Sequence, residues 1–211
     1  MVLTVTFSPD GKTIVCAGLT KSRNEESYSI YFFDRESGKL VQRIAALREY
    51  ITHLTYSRDG RFLVAGMGKA GGIRIYQTSD YFIVREDGDY KESVYGIDFD
   101  SKGRLVTVSY DGLLRLYGKD FKLIAKKNAP DGFKPSSIRF SPEGSKIAVS
   151  FYDSAHPATK LDILSGEDLS YQYSEHSGFF SRKDHSFYRR LPCWKCDGSQ
   201  SSGDRYHRHC E

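Results

Sequence analysis

The cysteines and histidines near the C-terminus are the residues of this chain best suited to metal chemistry. Cys193 and Cys196 form a Cys-x-x-Cys pair, and His207, His209 and Cys210 follow. Such a pair can direct two thiolates toward one zinc ion, with imidazoles completing the site. The His-x-His-Cys group, however, lacks the usual spacing of a second ligand pair. A zinc-binding tail is therefore the alternative, and an irregular extension, unstructured or out of frame, is the interpretation that we favour, with no metal site predicted.

Two other motifs resemble ligand-binding loops. The stretch 66–71 (Gly-Met-Gly-Lys-Ala-Gly) has the spacing of a dinucleotide-binding glycine loop. That loop needs a helix behind it for the pyrophosphate, whereas residues 73–76 alternate in the manner of a strand. Asp98 and Asp100 begin like a calcium-binding loop, but Lys102 occupies the next ligand position. Both motifs are predicted to be hairpin turns, and no cofactor is expected.

The residues that nucleophilic or acid–base catalysis needs do not occur at the spacing of a recognisable catalytic motif. The sequence has no Gly-x-Ser-x-Gly elbow, and the only histidines before residue 175 are His53 and His156. His53 lies in an alternating segment, which favours a packed or edge residue over a general base. We therefore predict that the protein is not an enzyme.

Charge and composition narrow the classes of partner. The formal net charge is +4, with 39% hydrophobic and 27% charged residues, and the longest basic run before the tail is Lys126-Lys127. This balance argues against a nucleic-acid-binding surface. The sequence contains no apolar run of the roughly 18 to 20 residues that a membrane helix needs, and no secretory signal is visible. We expect no nucleic-acid or membrane partner and a cytoplasmic location.

A short sequence phrase that occurs four times marks the strands and turns of the predicted fold. Each copy is an aromatic residue followed by a polar turn and a glycine, which tolerates the positive φ of a chain reversal. The copies recur every 40 to 50 residues or so, a period typical of propellers and other repeat architectures. They are Phe-Ser-Pro-Asp-Gly at 7–11, Tyr-Ser-Arg-Asp-Gly at 56–60, Phe-Asp-Ser-Lys-Gly at 99–103 and Phe-Ser-Pro-Glu-Gly at 140–144.

Strand patterns surround each copy of the phrase. Apolar residues alternate before each turn, and a β-branched or small run follows it, as expected for a strand that is covered on both faces. Two further strands complete each unit, which gives sixteen in all. The predicted third strands are 29–34, 73–76, 113–117 and 160–164, and the predicted fourth strands are 40–44, 81–85, 122–125 and 169–173.

The segment 109–117 (Ser-Tyr-Asp-Gly-Leu-Leu-Arg-Leu-Tyr) resembles the third-strand signature of WD40 repeats, and the phrases at 7–11 and 140–144 resemble the first hairpin of that family. The resemblance covers residues 1 to about 174. Tyr117 stands where the family prefers Trp, and the Trp-Asp and Gly-His dipeptides are missing from every copy. The resemblance implies that the hydrogen-bond network inside each blade is incomplete, so that the blades depend more on packing. A kelch-like or generic propeller is the alternative.

These observations predict an all-β fold, a partial β-propeller of about four four-stranded antiparallel blades at 1–174 with an irregular or disordered Cys/His-containing tail at 175–211. Propellers close with four to eight blades, and rings of the WD40 type most often resemble seven. We therefore expect an incomplete ring, whether a fragment, a truncated product or a subunit that completes its ring by association. Open sheet edges would allow self-association.

The resemblance implies a protein-interaction scaffold that binds a protein or peptide partner through rim loops. Tyrosine and arginine commonly anchor such interfaces because they combine a large contact area with a polar tip. The alternative, by analogy alone, is a regulatory or sensor propeller appended to an enzyme such as a caspase-like peptidase. The candidate partner-binding residues are Arg48, Tyr50, Tyr90, Tyr95, Tyr110 and Tyr152.

Overall fold

A computed structural model describes residues 1–21, 26–153 and 159–175 of the chain, and these residues form sixteen β-strands and no helix. The strands are β1 (Val2–Phe7), β2 (Thr13–Gly18), β3 (Tyr28–Asp34), β4 (Leu40–Leu47), β5 (Ile51–Tyr56), β6 (Phe62–Met67), β7 (Ile73–Gln77), β8 (Ile83–Asp87), β9 (Val94–Phe99), β10 (Leu105–Ser109), β11 (Leu113–Tyr117), β12 (Leu123–Asn128), β13 (Phe133–Phe140), β14 (Lys146–Asp153), β15 (Thr159–Ser165) and β16 (Tyr171–Glu175).

The strands form four separate antiparallel sheets, each made of four consecutive strands in chain order. We number them sheet 1 (β1–β4), sheet 2 (β5–β8), sheet 3 (β9–β12) and sheet 4 (β13–β16). The predicted all-β fold of four-stranded antiparallel units is confirmed.

Each predicted hairpin turn joins the first and second strands of a sheet. Gly11, Gly60, Gly103 and Gly144 have φ values of +70°, +74°, +81° and +73°, so each turn uses the left-handed region that glycine enters without strain. The aromatic residue before each turn pairs with the start of the second strand. The pairs are Phe7 with Ile14, Tyr56 with Leu63, Phe99 with Leu105 and Phe140 with Ile147.

Three of the four fourth strands begin later than predicted. Residues Tyr81, Phe121 and Leu169 have φ values of +57°, +59° and +63°, which belong to turns and not to strands. The strands that follow therefore start at Ile83, Leu123 and Tyr171, one or two residues beyond the predicted positions.

The hydrophobic core consists of three clusters, one at each junction between consecutive sheets. The first strands of neighbouring sheets contact one another, β1 with β5, β5 with β9 and β9 with β13, so the four sheets follow one another side by side. Burial of each large aliphatic side chain at these junctions is worth roughly 1.5–3 kcal/mol. Representative buried residues are Val15, Phe32 and Leu63 between sheets 1 and 2, Ile75, Ile97 and Phe99 between sheets 2 and 3, and Val106, Leu116 and Ile147 between sheets 3 and 4.

Contacts divide the chain into two compact units, Met1–Phe179 and Phe180–Glu211, and the described residues all belong to the first. The zinc candidates Cys193, Cys196, His207, His209 and Cys210 lie outside the described residues, as does His156. The domain boundary at residue 174 and the irregular tail stay predictions. Among the described residues, none forms a helix long and apolar enough to cross a membrane.

Candidate functional site

Two kinds of loop meet at one end of the sheets. The connections from a fourth strand to the next first strand contact the connections from a second to a third strand. The amide of Tyr110 donates to the carbonyl of Ser93 at 3.0 Å, and the amide of Gly68 donates to the carbonyl of Tyr50 at 2.7 Å. We call this end the loop rim. Because both kinds of loop lie there, the sheets bring residues that are distant in the chain onto one surface.

A stacked tyrosine pair lies on the loop rim of sheet 3. The rings of Tyr95 and Tyr110 have centroids 4.0 Å apart and planes inclined by 29°. The ammonium group of Lys134 lies 5.5 Å from the Tyr110 ring centroid, within cation–π range. Lys134 is also the cross-strand partner of Tyr152 in sheet 4. Tyr95 is 38% exposed and Tyr152 is 49% exposed, so this group presents rings to solvent.

A second tyrosine pair continues the surface toward sheet 1. The ring centroids of Tyr28 and Tyr50 are 6.0 Å apart, and the two hydroxyl oxygens of Tyr50 and Ser93 are 3.4 Å apart. Partial burial raises the pKa of Tyr95, and the nearby phenol groups of Tyr50 and Tyr110 raise it further. Because Ser93 lies two residues before Tyr95, its contact with Tyr50 places the second pair next to the first. We call Tyr28, Tyr50, Tyr95, Tyr110 and Tyr152 the tyrosine row.

The loop at residues 66–71 holds Tyr50 in place. A Cβ atom at Gly68 would lie 2.2 Å from the Tyr50 ring, so this position requires glycine. The amide of Lys69 donates to the Ser93 hydroxyl at 2.8 Å, which fixes the loop to the next connection. The loop joins β6 to β7 as a hairpin turn, as predicted. Its glycine makes room for an aromatic ring of the same chain.

Tyr90 lies inside the molecule and not on the loop rim. Its hydroxyl lies 2.8 Å from the hydroxyls of both Thr107 and Tyr117, and the Tyr117 hydroxyl donates to the Asp87 carboxylate at 2.8 Å. Burial is the main reason why the pKa values of Tyr90 and Tyr117 are raised, which keeps both phenols protonated. The chain between β8 and β9 thus turns inward, and Tyr90 is not available to a partner.

Arg115 and Asp111 are a buried ion pair that the sequence interpretation missed. Arg115 Nη2 lies 2.7 Å from Asp111 Oδ2 and Nη1 lies 3.3 Å from Oδ1, with both side chains only 1% exposed. The Arg115 guanidinium lies 3.8 Å from the Tyr90 ring centroid. Burial opposes ionisation of Asp111, but hydrogen bonds from Arg115 and from the Leu113 amide outweigh it and lower the pKa.

These six side chains form one group, which we call the polar cluster. It corrects, for sheet 3, the expectation that the hydrogen-bond network inside each blade is incomplete. The spacing of Asp111 and Arg115 across a turn is a signal that could have suggested the ion pair. The members of the polar cluster are Asp87, Tyr90, Thr107, Asp111, Arg115 and Tyr117.

A family comparison matches the region of the polar cluster. Residues 84–118, from β8 through the end of β11, match the family model described as WD domain, G-beta repeat. This match and the four four-stranded antiparallel sheets are together consistent with a partial β-propeller. The chain is a WD40-repeat-like array of four β-propeller blades. Each sheet is therefore one blade.

Solved structures agree with this assignment. One of 1214 matching chains is the crystal structure of RRP9 WD40 repeats, with a TM-score of 0.63 and 14% sequence identity. The match covers 76% of this chain and 47% of that one, so the chain spans about half the length of that structure. A comparison with curated protein sequences gives no match. WD40 repeats generally serve as protein-interaction scaffolds, and their propellers are typically non-enzymatic.

Arg48 lies beside the tyrosine row and not within it. It is exposed and lines a cleft of about 380 Å³ beside the β4–β5 and β6–β7 connections, together with Lys69 and Arg74. The carboxylate of Glu49, on the wall of the same cleft, lies 3.2 Å from Lys69 Nζ. Of the six predicted residues, four therefore belong to the tyrosine row, Arg48 adjoins it, and Tyr90 is in the core.

His53 lies on β5 and is partly buried, in keeping with the packed or edge residue that its alternating segment predicts. Burial lowers its pKa to about 4, and the positive charge of Arg139 acts in the same direction. The imidazole is therefore neutral at neutral pH. Within residues 1–21, 26–153 and 159–175, no group of three or more His, Cys, Asp or Glu side chains is placed to hold a metal ion.

Proposed function

We propose that the protein is a non-catalytic scaffold that binds a protein or peptide partner across the tyrosine row. The observation that carries this proposal is the continuity of the row over the loop rim. Tyr28 belongs to blade 1, Tyr50 follows it on the next connection, Tyr95 and Tyr110 belong to blade 3, and Tyr152 belongs to blade 4. A partner that contacts all five rings therefore spans the whole array.

The physical properties of the row support a binding role. Tyrosine rings give a large contact area at a low cost in side-chain entropy, and their hydroxyls can form hydrogen bonds with a partner. Tyr95 stacks on Tyr110, and the ring of Tyr50 packs against Gly68. These contacts hold the rings in place before binding. Because these rings are already ordered, binding costs less conformational entropy. The exposed ammonium group of Lys134 lies next to the rings and suits an acidic group on the partner.

The proposal is tested with a peptide library displayed on phage and selected on the full-length protein. Selected peptides are then measured by calorimetry against the Tyr95→Ala variant. Removing a central ring is expected to cost about 2 kcal/mol, which corresponds to roughly 30-fold weaker binding. Tyr171→Ala is the matched control, because Tyr171 is similarly exposed but lies on β16, away from the row.

The control is expected to bind the peptides as tightly as the wild-type protein does. Equal binding by the Tyr95→Ala variant, or a selection that enriches no peptide, would contradict the proposal. The cytoplasmic location stays a prediction.

A further inference from the structure

Blades 2, 3 and 4 each pack the same set of residues against the blade before them. We call this surface the N-side face of a blade. It contains two residues from the first strand, two from the second and one from the third, and the strand register places them at equivalent positions in every blade. These residues are Leu54, Tyr56, Leu63, Ala65 and Tyr76 in blade 2; Ile97, Phe99, Leu105, Thr107 and Tyr117 in blade 3; and Ile138, Phe140, Ile147, Val149 and Leu164 in blade 4.

Burial at these positions is nearly complete in the three blades. All fifteen side chains are buried except that of Tyr56, which is partly buried and packs against the cluster between blades 1 and 2. Fourteen of the fifteen are apolar or aromatic, and Thr107 uses its hydroxyl within the polar cluster. The sequence pattern of an N-side face therefore specifies a surface that another blade covers.

Blade 1 has the same pattern, but none of the described blades packs on its N-side face. The equivalent residues are Val5, Phe7, Ile14, Cys16 and Phe33, and their register is that of the other blades. Val5 is 61% exposed and Phe7 is 55% exposed, and the other three are partly buried. An exposed apolar sheet face of this kind marks an interaction site in a water-soluble protein.

The opposite face of blade 4 has the pattern that covers an N-side face elsewhere in the chain. We call the face that packs against the next blade the C-side face. In blades 1, 2 and 3 it combines a polar side chain on the first strand with apolar pairs on the second and third strands. The register-equivalent sets are Thr6, Val15 and Phe32; Thr55, Val64 and Ile75; Asp98, Val106 and Leu116; and, in blade 4, Arg139, Ala148 and Ile163.

We propose that two copies of this chain associate head to tail, with the N-side face of blade 1 of one copy on the C-side face of blade 4 of the other. This contact repeats the junction that the chain already forms three times, so it needs no surface of a new type. Two copies would contribute eight blades, which lies within the four to eight with which propellers close. A closed pair would contain two identical junctions and leave neither face exposed.

The first experiment measures the mass of the full chain in solution by light scattering and sedimentation over a range of concentrations. The wild-type protein is expected to form a dimer at micromolar concentration. The double variant Val5→Glu/Phe7→Glu places two carboxylates on the N-side face and is expected to be a monomer. Phe82→Glu is the control, since Phe82 is 74% exposed in the β7–β8 connection, away from both faces, and this variant should dimerise normally.

A mixing experiment tests the head-to-tail arrangement. Leu161→Glu changes an exposed residue of the C-side face of blade 4 and should also give a monomer. A mixture of this variant with Val5→Glu/Phe7→Glu retains one intact pair of faces and is expected to form a one-to-one dimer. Circular dichroism checks that each variant keeps its strands. A wild-type monomer at all concentrations, a Val5→Glu/Phe7→Glu dimer, or a mixture that does not pair would each overturn the proposal.

Discussion

Blades 1 and 3 share one strand register but differ in what stabilises their N-side faces. Thr107 and Tyr117 of blade 3 are hydrogen-bonded within the polar cluster, which blade 2 covers. The equivalent residues of blade 1 are Cys16 and Phe33, which have no hydroxyl and are only partly buried. Hydrogen bonds gain strength in a dry, low-dielectric junction. The comparison indicates that a covered junction stabilises a polar network, whereas Cys16 and Phe33 supply no hydroxyl for such a network at the equivalent positions of blade 1.

The largest expected effect comes from removing Arg115 of blade 3. The Arg115→Ala variant leaves the buried Asp111 carboxylate without its charged partner and removes the cation above Tyr90. Loss of one member of a buried ion pair costs about 3–5 kcal/mol of folding free energy. Urea denaturation measures the difference. Lys122→Ala, which breaks only the exposed pair with Asp120, is the control and should leave stability unchanged. Equal stability of the two variants would show that the polar cluster does not stabilise blade 3.

A smaller effect distinguishes equivalent positions of the two blades. Tyr117→Phe removes the hydroxyl that joins Tyr90 to Asp87 and should destabilise the protein by about 1–3 kcal/mol. Phe33→Tyr adds a hydroxyl at the equivalent position of blade 1, where the side chain is partly exposed and water can solvate the new group. This exchange should change stability by less than about 0.5 kcal/mol. The same denaturation assay measures both variants, and similar losses for both would contradict the difference between the blades.

The hairpin turns and the strand count follow from local patterns, which is why the sequence predicts them well. The glycine after each aromatic strand end supplies the positive φ of the chain reversal. The late starts of three fourth strands have a different cause. Tyr81, Phe121 and Leu169 adopt positive φ while their side chains pack into the junctions between blades, as the 4.9 Å contact of the Phe121 and Phe62 rings illustrates. Burial of these side chains offsets the strain of the positive φ angles. No local sequence pattern indicates where such angles occur.

The positions of some candidate residues could be predicted from the ends of the strands and their connections, while their role in binding a partner stays a prediction. Tyr95, Tyr110 and Tyr152 lie on the predicted rim because connections of the same kind emerge at the same end of every blade. Tyr90 could not be placed in this way, since its position depends on hydroxyl partners on β10 and β11 that only the register brings near. Apart from the Asp111–Arg115 pair, the polar cluster depends on contacts between residues that are 17 to 30 positions apart, as the Tyr90–Thr107 and Asp87–Tyr117 bonds show.

The central claim is that blade 1 presents, uncovered, the face that every other blade buries. The most direct measurement compares thiol alkylation at Cys16 with alkylation of an Ala65→Cys variant, since residue 65 is the buried equivalent in blade 2. Mass spectrometry of peptides separates these sites from Cys193, Cys196 and Cys210. In dilute solution Cys16 should react many times faster than Cys at position 65, although burial raises its pKa, and its reaction should slow as concentration rises and copies associate. Equal protection of both sites in dilute solution would contradict the account.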